Sequence, residues 1–468
     1  MSTFSGLNTA NTALSAAQRA MDVTGQNIAN VNTDGYSRQR VDLQSVGGSV
    51  VPAIWAVSSQ VGQGVNSDQV SRIRDAFLEG RAQTEHAKTA SLTTQSDALG
   101  QVEQAFREPG DTGIQAMLSN MWAGWGDVAK APMDAGARTQ LLQRSQTLVA
   151  GMHATSAALD AQWSQNHDTL QTLVTDANAT ASSIADLNQA IKRATQADLP
   201  SNELQDKRDT LVLKLSEQLG ATATKMDDGT LSVTVGGATL VSGNTALQLK
   251  LTGGNDPGTA KTSPPSLVTV PGNTAVVPGG TADGTLKTMT SIIPTYRNQL
   301  DAVAQQLANQ VNGVQVLGFD QNGNAGVAMF DDGGASPSGI TAANINVAIT
   351  SDQLAAAKLS PPLANGLPSA DAGNADDLYQ LRLDTAAPDT SYRQMIVGLG
   401  VQSATTSNNL TTETAVSTQV DASRESTSGV NLDEEMTNML QYQHGYAAAG
   451  KLVSTINSML DDLMNMVQ

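Results

Sequence analysis

Both ends of the chain carry an apolar residue at every seventh position. Near the start, Leu7, Leu14, Met21 and Ile28 form one row, with Ala10, Ala17, Thr24 and Val31 three residues after each. Near the end, Leu432, Met439, Tyr446, Val453, Leu460 and Val467 repeat the pattern, with Tyr442, Ala449, Ile456 and Leu463 between them. A heptad held over four or more repeats marks a helix that buries a narrow seam against another helix. Neither end offers a second apolar face, so the two seams are expected to pair with each other. That pairing brings the termini together, and the middle of the chain must leave from that point and return to it.

Aromatic residues make up 3% of the 468 residues. The scarcity suits long helices packed through small side chains better than a thick globular core. The formal charge is −18 and no basic run occurs, which disfavours nucleic acid and anionic membrane as partners. With no cysteine there are no disulfides and no thiolate metal sites. No segment approaches the ~18 apolar residues that span a bilayer. The first basic residue is Arg19, so the start lacks the charged and apolar regions of a secretory signal. The expectation is a protein that stays in the cytoplasm or leaves by a route that reads no such signal.

Along the chain, Asn32-Thr33-Asp34-Gly35-Tyr36-Ser37 ends the first helix. Extended chain is expected over 36–68, carrying Val41, Leu43, Pro52 and Trp55, and helix from Val70 to about Glu108. A short helix follows over 114–129, with Trp122 and Trp125 on one face. Leu141, Leu148, Met152, Leu159, Trp163, Leu170, Leu173, Ile184, Leu187 and Ile191 recur at threes and fours. They predict one helix of about 55 residues, roughly 80 Å long, which belongs to a rod. Past Gly220 the period becomes two: Leu231, Val233, Val235, then Leu247, Leu249, Leu251, then Val268, Val270, an antiparallel sheet pattern. Helix resumes over 295–314. A second mixed insert carries Ile345, Val347, Ile349, Tyr379, Leu381 and Leu383, and a weaker helix over 390–425 leads to the last heptads.

Four segments carry a family resemblance. Asn27-Ile28-Ala29-Asn30-Val31-Asn32-Thr33-Asp34-Gly35-Tyr36-Ser37-Arg38-Gln39 resembles the motif shared by axial proteins of the bacterial flagellum. Ser428-Gly429-Val430-Asn431-Leu432-Asp433-Glu434-Glu435-Met436, followed by Tyr442-Gln443, resembles the carboxy-terminal signature of the hook-associated protein 1 family. Asn202-Glu203-Leu204-Gln205-Asp206-Lys207-Arg208-Asp209 and Gly318-Phe319-Asp320 are similar to the same family. The likeness omits roughly 253–283 and 331–388. It implies a structural, non-enzymatic subunit of the hook–filament junction, extracellular, exported through the flagellar type III apparatus without a cleavable signal. It also implies terminal helices lining an inner tube, a second helical layer around it, and outward β-rich domains. Implied partners are further copies of the chain in a ring-like homo-oligomer, the hook protein, the second junction protein and a cytoplasmic export chaperone. The proline often found at the place of Asp34 is replaced by another turn-former, and Gly445 and Gly450 each weaken the last helix by about 1 kcal/mol.

Other constellations have plainer readings. Asn431 with Glu434 fits an N-cap whose third residue reaches back, and Asp433 to Glu435 complement the helix dipole. Adjacent helical acids splay around the axis and do not converge on one substrate. Asp320, Asn322, Asn324 and Asp331 have calcium-loop spacing, yet Ala325 stands at the required glycine and aspartate at the bidentate glutamate, so a turn is expected. His86, His153, His167 and His444 lie apart without ligand spacing and suit surface or packing roles. Gly62-Gln63-Gly64 lacks the context of a dinucleotide loop and suits a hairpin turn.

The expected fold is mainly α with a β-rich insert (α+β): paired terminal helices, a rod of long helices, and outward β material. The corresponding domains are 1–33 with 429–468 as a coiled coil; 34–219, 285–317 and 389–428 as the rod; and 220–284 with 318–388 as the β-rich part. The expected assembly interface is Leu7, Ala10, Leu14, Ala17, Met21, Ile28, Val31, Leu432, Met439, Tyr442, Tyr446, Val453, Ile456, Leu460 and Leu463. No catalytic residue, cofactor or metal is expected. A β-rich insert that binds a surface ligand, as in an adhesin or secreted hydrolase, is the competing class, and another axial protein the nearer alternative.

Overall fold

A computed structural model describes residues 3–46, 64–334, 339–359 and 370–466. Pro52, Trp55, Gly62, Gln63, Val467 and the side chain of Leu463 lie outside it. In chain order the elements are α1 (Thr3–Ala29), β1 (Gln39–Ser45), β2 (Val65–Arg72), α2 (Ala76–Phe106), α3 (Ile114–Lys130), α4 (Ala135–Gln196) and α5 (Asn202–Leu219). There follow β3 (Thr222–Lys225), β4 (Leu231–Val235), β5 (Ala238–Ser242), β6 (Thr245–Ala246), β7 (Gln248–Thr252), β8 (Ser266–Val270) and β9 (Ala275–Val276). Then come α6 (Gly280–Lys287), α7 (Ile293–Gln315), β10 (Phe330–Asp331), β11 (Asn346–Val347), α8 (Gly373–Gln380), α9 (Pro388–Ser428) and α10 (Leu432–Met466). The fold is α+β, dominated by helix, with several small sheets.

Contacts gather into two compact units: Met1–Ala87, Ala177–Gln248 and Thr414–Gln468 form the first, Lys88–Asp176 and Leu249–Glu413 the second. In the first unit, α1 runs antiparallel to α10, since Gly6 faces Ile456 and Asn27 faces Glu435. The antiparallel hairpin β1–β2 lies against α1. The sheet β3-β4-β5-β6 is antiparallel, and β4 alternates as its sequence requires, with Leu231, Val233 and Val235 buried. Asn188 joins this sheet to α4. Its Nδ2 donates to the Leu231 and Gly243 carbonyls at 2.8 Å each, and its Oδ1 accepts from Leu231 N–H at 3.0 Å and from Arg208 Nη1 at 3.2 Å.

In the second unit the core is aromatic and aliphatic together: Phe106, Trp122, Trp125, Leu141, Met152, Trp163, Leu300 and Tyr392 are buried. The two tryptophans three apart on α3 therefore face inward together. Trp163 Nε1–H donates to the Met289 carbonyl at 3.0 Å, so its polar edge is satisfied in the core. Arg138, 2% exposed, donates to the Pro132 carbonyl at 2.6 Å and the Leu354 carbonyl at 2.8 Å. Asp320 closes its loop as a turn, accepting from the N–H groups of Asn322 and Asn324 at 2.8 Å each.

Several boundaries differ from the sequence reading. Val70 to Arg72 belong to β2 rather than to the following helix, because Val70 and Arg72 pair with Val41 and Gln39. Helix begins again at α6 and reaches α7 through a π turn at Thr288–Ile292. Tyr379 lies in α8, and Leu381 and Leu383 in a 3-10 turn, so their period of two reflects helix–turn geometry rather than a strand. Leu173 and Leu187 are only half-buried on α4, which otherwise buries its expected apolar row over 62 residues.

Asn188→Ala would leave Leu231 and Gly243 backbone groups unpaired in a dry site. The expected cost is about 3 kcal/mol, at roughly 1–3 kcal/mol for each buried group stranded, read as a lowered urea midpoint. An unchanged midpoint would contradict the bridging role.

Candidate functional site: a polar cluster joining the termini

Two of the sequence motifs meet directly at the base of the α1–α10 pair. Asn27, 1% exposed, uses its whole amide. Nδ2 donates to the Gln39 carbonyl at 2.8 Å and to Glu435 Oε2 at 3.0 Å. Oδ1 accepts from Gln39 N–H at 3.0 Å and from the Tyr36 hydroxyl at 2.8 Å. Arg38 completes the contact: Nε and Nη2 reach Glu435 Oε1 at 2.7 Å, and Nη1 reaches Glu434 Oε2 at 2.8 Å. Its own N–H donates to the Ser428 carbonyl at 2.9 Å. One end of the chain is thereby sewn to the other through side chains more than 390 residues apart in sequence.

The third motif lies on α5 and closes the cluster from the side. Ser37 N–H donates to Asp206 Oδ2 at 3.3 Å, and Asn202 Nδ2 donates to Gln39 Oε1 at 3.1 Å and the Val70 carbonyl at 3.0 Å. Arg72 from β2 binds Asp206 at 2.6 Å, Asp209 at 3.0 Å and Gln205 at 2.8 Å. Arg74 joins Asp209 to Glu79, which Arg424 of α9 also holds at 3.0 Å. Gly35 has a left-handed backbone, φ +78°, and a Cβ there would stand 2.3 Å from Thr210 Oγ1. Glycine is required at this turn for both conformation and clearance. Burial, with Asp206, Glu435 and Glu203 nearby, pushes the Tyr36 pKa up to about 12.

Two readings of residues in this region need correction. Asn431 does cap α10, accepting from Asp433 N–H at 3.0 Å. Glu434 does not reach back to the cap; its carboxylate goes to Arg38 instead, because an oriented guanidinium binds a carboxylate more strongly than a neutral amide does. His86 is more than a packing residue. Nδ1 lies 2.9 Å from Glu217 on α5 and Nε2 lies 2.9 Å from Asp421 on α9. These carboxylates, against an opposing effect of burial, raise its pKa above the usual histidine value.

The expected interface residues fall into distinct groups. On α10, Ala449 and Ile456 are buried and Met439, Tyr442, Val453 and Leu460 half-buried, while Leu432 and Tyr446 are 45% and 43% exposed. On α1 the buried line is Ala10, Ala16, Ala20, Val23, Thr24 and Asn27. Leu7, Leu14, Ala17, Met21, Ile28 and Val31 are left half-buried at its edge. Thr12 and Arg19 face the hairpin through Val65 and Asp68, and Ala16 and Val23, one turn away from them, share that side of the helix, whereas Gly6, against Ile456, marks the side turned to α10. The claim of a single apolar face on the last helix is also overturned. Leu452, Met459 and Met466, again seven apart, are exposed along one flank of its seam, and Met436 and Leu440 along the other.

Asn27→Ala strands a carboxylate, a hydroxyl and two backbone groups, and should lower stability by about 3 kcal/mol, with hydrogen exchange in α1 and α10 rising first. Protection in both helices equal to the parent protein would refute the clasp. His86 gives a pH test. Because its folded pKa is raised, its stabilising contribution is full below pH ~6.5 and disappears as pH rises through the folded value. The stability gap between the parent and His86→Gln should therefore be larger at pH 6 than at pH 9 by denaturant titration.

Residues 99–330 match the flagellar hook-associated protein FlgK helical domain, 7–36 the flagella basal body rod protein, and 423–466 the flagellar basal body rod FlgEFG protein C-terminal model. Flagellar hook-associated protein 1 of Bacillus subtilis is 30% identical, covering 99% of this chain and 98% of its own. Those of Escherichia coli and Salmonella typhimurium are each 24% identical over 98% of this chain and 99% of theirs. The flagellar hook junction protein FlgK of Burkholderia pseudomallei has the same fold, with a TM-score of 0.63 over 75% of this chain and 100% of that one at 18% identity. With 30% identity sustained across nearly the full length of both sequences, the chain belongs to the flagellar hook-associated protein 1 family, structural proteins of the bacterial flagellum.

Proposed function

We propose that this chain is a subunit of the hook–filament junction that assembles through its terminal helices. The observation that carries this reading is the apolar surface remaining after α1 and α10 have paired. Leu7, Leu14, Met21 and Ile28 are half-buried, and Leu452 and Met459 are 47% and 52% exposed. An apolar row with a seven-residue period on the outside of a helix pair is a seam for a further helix. In an axial structure that helix comes from an adjacent copy, giving a ring-like homo-oligomer. The expected interface residues of both termini then belong to two contacts, one within the chain and one between chains.

The remaining parts of the reading rest on family membership. The neighbours along the axis are the hook protein on one side and the second junction protein on the other. Export runs through the flagellar type III apparatus, with a chaperone covering the carboxy-terminal helix until release, and the mature protein resides outside the cell. Its role is mechanical: the terminal helices form the inner layer, the long helices set spacing, and the β-rich segments face outward. Each Leu or Met fully buried between copies adds roughly 1.5–3 kcal/mol, so a few per subunit hold the junction.

The test is a double substitution on the exposed flank, Leu452→Asp with Met459→Asp, expressed in cells lacking the gene. Because both side chains face solvent in the isolated subunit, its thermal midpoint should change little, while hooks should lack filaments and filament protein should appear in the medium. Normal filaments on those hooks would sink the proposal. Leu14→Asp, on the half-buried row of α1, should give the same phenotype.

A further inference from the structure

In the second unit, α3, α8 with the 3-10 turn after it, and α9 line an open polar pocket of about 260 Å³. Its floor is Asp389, 7% exposed, with both carboxyl oxygens already engaged. Trp122 Nε1–H donates to Oδ2 at 2.6 Å and Gln115 Nε2 to Oδ1 at 3.3 Å. Burial pushes the Asp389 pKa up, against the Trp122 hydrogen bond and the Arg393 charge, which hold it down. Gln115 Oε1 is left without a hydrogen-bond partner.

The walls are cationic. The Arg382 guanidinium stands 4.2 Å over the centroid of the Tyr379 ring, which fixes its plane without neutralising it. Arg393 donates through Nε to the Asp389 carbonyl at 3.3 Å and through Nη2 to Thr390 Oγ1 at 3.4 Å. Among the described residues, neither Arg382 nor Arg393 makes an ion pair. Arg38, Arg72, Arg74 and Arg424 each hold at least one carboxylate, whereas Arg382 and Arg393 stand together in one pocket whose lining holds a single acid, Asp389. Two guanidiniums against one carboxylate leave an excess of positive charge there, which an anion between them offsets. A guanidinium fork matches a carboxylate in two parallel hydrogen bonds.

We infer that this pocket binds a carboxylate, held between Arg382 and Arg393 above the Trp122–Asp389 floor. The carboxylate comes either from an acidic side chain of a second copy or from a free small acid. Trp122 reports on the site because its N–H forms the floor. With the full chain labelled with 5-fluorotryptophan and its resonances assigned by Trp122→Phe, one arm titrates dilute protein with N-acetylglutamate. A second arm raises protein concentration with no additive. The Trp122 resonance should shift in at least one arm: with the additive for a free acid, with protein concentration for a second copy's side chain. The pair Arg382→Gln and Arg393→Gln, on exposed side chains that bear no core packing, should weaken the response at least tenfold while leaving the circular dichroism spectrum unchanged. Silence in both arms, a shift that survives the double substitution, or tighter binding of inorganic phosphate than of the carboxylate would overturn the assignment.

Discussion

The register between the two terminal helices is held by a buried side-chain amide, Asn27, and the arginine beside it, Arg38. Asn27 has two donors and one carbonyl oxygen, and the protein fills them with the Gln39 backbone, the Tyr36 hydroxyl and Glu435. A buried polar group with every partner in place tolerates one geometry and penalises all others. A helix pair held by an apolar heptad seam alone could slide by one repeat and meet a similar seam. The amide, with Arg38 clamped on Glu434 and Glu435, removes that degeneracy. The α5 motif then braces the hairpin that carries Arg38, through Asp206 and Asn202.

Much of this architecture was legible in the residues themselves. The apolar spacing of α4 is so regular that Leu141, Leu148, Met152, Leu159, Trp163 and Leu170 all land inside, since threes and fours leave a helix no other face to bury. The switch to a period of two at Leu231 likewise fixes β4. The α8 region defeated the same logic because Tyr379, Leu381 and Leu383 alternate across a helix end and a tight turn, where two-residue spacing carries no strand meaning. Periodicity also says which residues are apolar without saying which partner covers them. On α1 the hairpin contacts of Thr12 and Arg19 cover a side of the helix that carries Ala16 and Val23 and lies outside the heptad rows.

The polar cluster was only partly readable. Each motif could be recognised locally, as a turn or as a helix cap, but charge pairs between distant segments leave no periodic trace. Glu434 illustrates the point: three residues after a capping asparagine, it has a local partner within reach and a stronger distant one in Arg38. The exposed Leu452–Met459–Met466 row was visible at its seven-residue spacing. A heptad reading attends to two positions in seven and treats the flanks as solvent, so it gives such a row no meaning.

The placing of the polar cluster at one end of the α1–α10 pair has a further consequence. The charged and hydrogen-bonded partners of Asn27 and Arg38 all lie at that end, while at the other Gly6 brings no side chain of its own against Ile456. Cohesion along the pair is therefore graded, strong at the charged foot and slight toward the free extremities. Such a gradient makes separation directional: the pair peels from its loose end, like a strip fastened at one edge, and closes again from the anchored edge without searching for alignment. The single arrangement it returns to is the one in which the Asn27 amide has all its partners.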